Sequence, residues 1–291
     1  MEYLERRRSL IEGRLEPVLE AAEPDAMSDR LEHVSLSGGK RVRPMVTLLA
    51  FEAAGGELVG DDGRGTPASA DAVDFAVGVE LVHNASLVVD DIIDESDLRR
   101  GVDSAWAAFG HGPAIVTSDG LLGEAFALFS ADEGAMQVVS EAMVELGEGE
   151  ATELVVEPTT EAEYMELARR KTGALFRAAA ELGAIAADAD PYTVEAFGRY
   201  AERVGIAFQI RDDVLDATAD PAALGKPTGQ DAEMERPSLI QITEMTPEEA
   251  NERAHEESDA ALSALETADA VDSEAVGYLQ DLAEFVVVRE R

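Results

Sequence analysis

Twice along this chain an apolar, helix-period run ends in aspartates at positions i, i+1 and i+4: Leu87-Val-Val-Asp-Asp-Ile-Ile-Asp94 and Phe208-Gln-Ile-Arg-Asp-Asp-Val-Leu-Asp216. At ~100° per residue, Asp90, Asp91 and Asp94 fall at about 0°, 100° and 40°, which places all three on one side of a helix. Asp212, Asp213 and Asp216 repeat the spacing. Like charges at i,i+4 destabilise a helix, and here they interrupt an apolar stretch, so a compensating cation is called for. Hard divalent ions with oxygen ligands answer that need; Mg²⁺ typically takes one or two carboxylates plus phosphate oxygens of a substrate. One such triad reads equally well as a solvated helix end in an Asp-rich chain. Two triads facing each other across a bundle core make a cavity walled by six carboxylates, suited to several Mg²⁺ ions and a diphosphate.

The rest of the chain is helical in period. Ala68, Ala72, Phe75, Val79, Val82 and Ser86 recur at three- and four-residue steps over 67–94, and 113–130, 136–156, 161–187 and 193–216 read likewise. Several of these segments are apolar on most faces, as helices buried inside a bundle are. Two stretches are punctuated instead: the glycine-rich run Gly55–Gly65, and Asp216–Arg236 with Asp220-Pro221 and Gly225-Lys-Pro-Thr-Gly229, a polar loop of the length that covers sites. Although length alone suggests about two domains, the pattern runs end to end. The expectation is an all-α fold, one domain over 1–291, as a single large helical bundle around a deep central cavity.

Composition excludes several roles. With 61 Asp+Glu against 23 Lys+Arg the formal charge is −38, which repels nucleic acid and anionic lipid. There is no Cys, hence no thiolate catalysis and no Cys-ligated metal. The charged N-terminal segment lacks the apolar core of a signal peptide, and no stretch is read as approaching the ~20 apolar residues of a membrane span. The expectation is a cytoplasmic protein with no nucleic-acid partner and no stable membrane anchor. Distributed carboxylates with few lysines point to a salt-rich cytoplasm, where screening removes the cost of self-repulsion.

Only three lysines survive: Lys40, Lys171 and Lys226. Each lies in a segment with a phosphate-binding rationale. Gly38-Gly-Lys-Arg-Val-Arg-Pro44 carries Lys40, Arg41 and Arg43 before a helix; Arg99-Arg100-Gly101 follows the first triad; Lys171-Thr172 lies in a helical segment; Lys226 sits in the loop after the second triad. Simple pairing with the abundant acids does not explain why lysine is kept only here.

With these blocks in order, the chain resembles the trans-isoprenyl diphosphate synthase (polyprenyl synthetase) family. The blocks are GGKRVRP (38–44), His83 ahead of DDIID (90–94), RRG (99–101), KTGALF (171–176), FQIRDDVLD (208–216) and GKPTGQD (225–231). The resemblance implies an all-α homodimer that condenses isopentenyl diphosphate with an allylic diphosphate. It implies Mg²⁺ between the two motifs, with Asp90, Asp94 and Asp212 as main ligands and Asp91, Asp213 and Asp216 in support. Arg99, Lys171 and Lys226 would contact the allylic diphosphate; Lys40, Arg43, His83 and Arg100 would hold isopentenyl diphosphate; Thr172 and Gln209 would lie near the reacting carbons. Arg236 stands where a Lys is frequent, and keeps the charge without the point-like geometry. Val89 replaces a frequent His, and Glu153 stands where Gln is usual.

In this family, bulk one turn before the first motif floors the product tunnel. Ala85 and Ser86 are small, so the product expected is geranylgeranyl diphosphate or a longer polyprenyl diphosphate, geranylfarnesyl included; Phe75, Phe126 and Phe129 are deeper candidate floors. The competing readings are a terpene cyclase or head-to-head synthase, a non-catalytic partner subunit, and a helical protein whose acids merely bind salt. The first lacks the GGKRVRP and GKPTGQD blocks, and the second typically loses an aspartate motif that this chain keeps.

Overall fold

The computed structural model describes residues 2–58, 65–218, 237–271 and 273–288. The architecture is all-α: the only strands among the described residues are two-residue β1 (Leu98–Arg99) and β2 (Val102–Asp103), paired antiparallel. The chain forms two compact units, one from Met1–Leu48 with Gly56–Gln137, the other from Leu49–Gly55 with Val138–Arg291.

The first unit is built around α1 (Glu2–Glu20), α2 (Asp25–Leu36), α4 (Pro67–Ile93), α5 (Ala105–Phe109) and α6 (His111–Phe129); α3 (Val42–Ala53) starts in it. Thr66 starts α4, its side chain accepting from the Ser69 amide, with Pro67 at the first helical position where no amide hydrogen is needed. Helix α4 is long and apolar enough to cross a membrane by length and composition, which corrects the reading that no segment is. Most of its apolar residues face protein, with 67% of its most apolar stretch buried, as in the central helix of a bundle; Val89 and Ile93 near its end are exposed. Helix α6 packs closely on α4 because Gly78 has no Cβ; one built there would lie 2.5 Å from the Phe129 ring. The Phe75 and Phe129 rings meet there tilted at 38°, with 6.0 Å between centroids, and both are core residues.

The second unit contains most of α7 (Glu133–Ala151), then α8 (Glu161–Ala168), α9 (Ala174–Ala186), α10 (Pro191–Thr218), α11 (Leu239–Thr243), α12 (Pro247–Glu266) and α13 (Glu274–Val288). Helix α10 is its spine, packed on α9 and α12. The Tyr200 hydroxyl donates to the Leu279 carbonyl at 2.6 Å and the Ser258 hydroxyl to that of Ala283 at 2.6 Å, tying α10 and α12 to α13.

Helical period placed the helices within 67–94, 113–130, 136–156, 161–187 and 193–216 to within a few residues, gave no bounds for α1, α12 and α13, and missed two π-helical turns, Thr152–Val156 and Arg169–Gly173. Wide turns of this kind gather at functional sites. Here the second is made possible from both flanks. A Cβ on Gly149 would lie 2.9 Å from the Lys171 nitrogen, and one on Gly205 would lie 2.9 Å from the Gly173 Cα. Only glycine lets α7 and α10 come this close to the backbone that carries Lys171 and Thr172.

Candidate active site

In the first unit the acidic end of α4 divides by depth. Asp90 and Asp94, one turn apart, are half-buried, whereas Asp91 is 2% exposed. Asp91 accepts from the Arg99 guanidinium, through Nε at 2.9 Å and through a second, shorter contact. The expectation that all three acids share one side is therefore corrected. The 100° offset at i+1 is enough to turn Asp91 into the protein, where an arginine offsets its charge and the unfavourable helix C-terminus.

Arg99 and Arg100 are aimed by a hairpin. Leu98 pairs with Asp103 and Arg99 with Val102, leaving Arg100 and Gly101 as the two-residue turn, with φ of 53° and 83°. Such turns need positive φ at both positions, which accounts for the glycine of this block. Arg100 then donates to the Gly38 carbonyl at 2.7 Å and, more weakly, to Asn84 Oδ1 at 3.4 Å. Its guanidinium lies against Gly39, where a Cβ would be 3.0 Å from Cζ and φ is +125°.

The turn before α3 is held from inside. Arg41, with φ of 52°, sends its side chain into the unit, onto Glu80 at 2.5 Å and the Ser35 carbonyl at 2.6 Å. Both side chains of the Arg41–Glu80 pair are 3% exposed. This pin leaves Lys40 exposed on one side and Arg43 half-buried on the other. Arg43 donates to His83 Nε2 at 3.1 Å. Burial first, then the charges of Arg43, Arg100, Arg99 and Arg41, push the His83 pKa well below its usual value, so the imidazole is neutral and accepts. Arg43, His83, Arg99 and Arg100 thus form one basic cluster, with Lys40 on the same turn. Arg41 is its support, and sequence reasoning had not separated it from its neighbours.

The second unit repeats the division. Asp212 and Asp216 are half-buried and one turn apart; Asp213 is 4% exposed. Its Oδ2 accepts from the Tyr164 hydroxyl at 2.6 Å and the Leu239 amide at 3.1 Å, and its Oδ1 from Gln209 Nε2 at 3.1 Å. The Thr172 hydroxyl donates to Gln209 Oε1 at 2.8 Å. Lys171, beside it on the π turn, is paired with Glu153 and lies 3.5 Å from Glu150. The neighbouring Arg169 and Arg170 grip Glu166, whose carboxyl is driven down to about 2, chiefly by the Arg169 hydrogen bond. Tyr164 had no signal in the sequence: a tyrosine in an apolar stripe carries no mark of what its hydroxyl meets.

Each unit thus presents two half-buried carboxylates one turn apart, a third carboxylate held by protein donors, and basic side chains nearby. Residues 24–277 match the polyprenyl synthetase family model. The chain belongs to that family. It is 34% identical over 252 residues to a geranylgeranyl diphosphate synthase of Methanosarcina mazei, covering 83% of this chain and 74% of that one. It is 36% identical over 232 residues to a geranylfarnesyl diphosphate synthase of Aeropyrum pernix, covering 75% and 70%. Among solved structures it resembles geranylgeranyl pyrophosphate synthetase of Pyrococcus horikoshii, with a TM-score of 0.86, 32% identity and coverage of 99% and 98%. Family membership makes the chain a trans-prenyltransferase.

Of the residues singled out by sequence, Lys226 and Arg236 and the whole GKPTGQD block lie outside the described residues. The donor chemistry of Asp90 with Asp94, and of Asp212 with Asp216, suits a hard divalent ion: all-oxygen, anionic, and partly open.

Proposed function

We propose that the chain elongates an allylic diphosphate with isopentenyl diphosphate, giving geranylgeranyl diphosphate or a longer homologue. The observation that carries this reading is the repeated arrangement, in which each aspartate motif keeps an outer pair half-buried and commits its middle member to protein donors. Asp90, Asp94, Asp212 and Asp216 would hold Mg²⁺. When bound, Mg²⁺ supplies Lewis-acid neutralisation of the diphosphate's charge.

Arg99, Lys171 and Lys226 bind the allylic diphosphate, and Arg236 adds charge nearby. Lys40, Arg43 and Arg100 bind the diphosphate of isopentenyl diphosphate, with neutral His83 fixing the orientation of Arg43. As the allylic C–O bond breaks, its electron pair leaves with diphosphate and the basic side chains stabilise that developing charge. The alkene of isopentenyl diphosphate then attacks the allylic cation, its π pair forming the new C–C bond and the positive charge moving to the isopentenyl unit; a proton lost from that unit to the departed diphosphate leaves its C–H electron pair as the new double bond. Apolar surroundings keep water from trapping the cation. Residues 1–291 act as one catalytic domain, in a cytoplasm rich in salt. A second copy completes a homodimer, a reading supported by exposed Ile115 and Val116 on α6.

Chromatography of products made from isopentenyl diphosphate and each allylic primer, with Mg²⁺ and high salt, tests the reading; no elongation of any primer refutes it. Product length is tested at Ser86, a half-buried residue one turn before Asp90 whose hydroxyl only bonds back to the His83 carbonyl at 2.8 Å. Ser86→Phe is expected to shorten the main product by at least one isoprene unit. An unchanged product places the tunnel elsewhere.

A further inference from the structure

The hydrogen bonds around Asp213 have a direction, and chemistry dictates it. An ionised carboxylate can only accept. Gln209 must therefore turn its NH₂ toward Asp213 at 3.1 Å, which leaves its carbonyl toward Thr172. The Thr172 hydroxyl, 2.8 Å away, must then donate to that carbonyl. Its proton is committed, and the remaining faces of its oxygen carry lone pairs. The chain is anchored at its far end, where Tyr164 and the Leu239 amide both donate to Asp213 Oδ2. Tyr164 is 1% exposed, so no solvent competes for this contact.

We propose that Tyr164 is a positioning residue, which with the Leu239 amide locks Asp213 so that Thr172 presents oxygen lone pairs, never its proton, to the reacting substrate. A lone pair favours a neighbouring positive charge; an O–H directed the same way opposes it. The inference rests on the prenyl-transfer reading, because only a reaction that develops positive carbon makes this polarity matter.

Asp213→Asn reverses the chain while keeping a partner for Tyr164, the Leu239 amide, Gln209 and Thr172. Two donors at the old Oδ2 position demand the new carbonyl there, so the NH₂ of the substituted side chain faces Gln209. Gln209 flips, its NH₂ points at Thr172, and the Thr172 proton is released toward the substrate. The expected result is a fall in kcat of at least about tenfold, the scale of one misdirected hydrogen bond to a charged centre. The KM of both substrates, the Mg²⁺ concentration for half-maximal rate and the urea midpoint should each stay within about twofold of wild type.

Tyr164→Phe removes one of the two anchors and should lower kcat in the same way but less. Thr172→Ser, which keeps the hydroxyl, should retain activity. The deciding measurement is the double variant. In a Thr172→Val background there is no hydroxyl to orient, so adding Asp213→Asn should change kcat by less than about twofold. Losses that multiply, or a shifted Mg²⁺ requirement in Asp213→Asn, overturn the proposal and make Asp213 act on its own. An unchanged kcat in Asp213→Asn overturns it too. If wild-type protein elongates no primer, it is the prenyl-transfer reading that fails instead.

Discussion

Asp90→Ala and Asp212→Ala are each expected to lower the elongation rate by about a thousandfold or more, with a much smaller effect on folding stability than Asp213→Ala. On the proposed reading, each change removes one anionic ligand of the ion that would neutralise a leaving diphosphate, an electrostatic contribution on the order of 4 kcal/mol. The smaller effect on stability follows from partial burial. Asp90 is half-buried in the last turn of α4, one turn from Asp94, and Asp212 stands in the same relation to Asp216. Deleting one acid relieves an i,i+4 repulsion worth about 0.2–0.5 kcal/mol, and at Asp90 an unfavourable charge at a helix C-terminus as well.

Asp213→Ala behaves differently. It removes the acceptor of the Tyr164 hydroxyl, the Leu239 amide and the Gln209 NH₂; Tyr164 and Leu239 are buried, and a buried donor that loses its acceptor costs about 1–3 kcal/mol. Initial rates at saturating substrate, paired with urea midpoints, separate the two classes. An Asp90→Ala enzyme that keeps more than a tenth of the wild-type rate shows that this carboxylate takes no part in the chemistry.

Glu80→Ala is expected to cost about 3–5 kcal/mol of folding stability, a large share of the ~5–15 kcal/mol available to a domain. Arg41 cannot follow its charge to water: its side chain is 3% exposed, and Nε already lacks a side-chain or backbone partner. Without Glu80 the guanidinium retains only the Ser35 carbonyl. Because the pair is buried, added salt screens it little and does not restore the loss. Replacing both partners, Arg41→Met with Glu80→Leu, should recover much of the stability, since a buried ion pair and apolar residues of like volume are often near-equivalent. Equilibrium unfolding of the wild type and the two variants at one salt concentration checks this; a cost below about 1 kcal/mol for Glu80→Ala shows that the pair is not what holds the turn.

Much of the site could be read from one dimension. The triads, the basic blocks and the three lysines were each visible as residue types at helical or turn spacing, whereas the positive φ of Gly38, Gly39 and Gly101 within those blocks came from the structure. What could not be read was the partner of each side chain. Arg41 sits between Lys40 and Arg43 and has the same charge, yet it is a buried support because Glu80 lies beneath it. Tyr164 looks like any core aromatic until Asp213 stands 2.6 Å from its hydroxyl. Phe75 and Phe129, candidate tunnel floors by spacing, are buried with their rings tilted against each other, and the Phe129 ring lies over Gly78, a pairing no spacing announces.

The sequence alone determined the helices, the two acidic helix ends and the chemistry they suit, because apolar period and charge spacing are local properties of a chain. Tertiary structure decided which aspartate of each triad turns inward, which arginine is a pin and which way the hydrogen bonds run. Those choices depend on groups brought close from distant positions, such as Tyr164 and Leu239 on Asp213 or Glu80 on Arg41, and no local pattern specifies such a meeting.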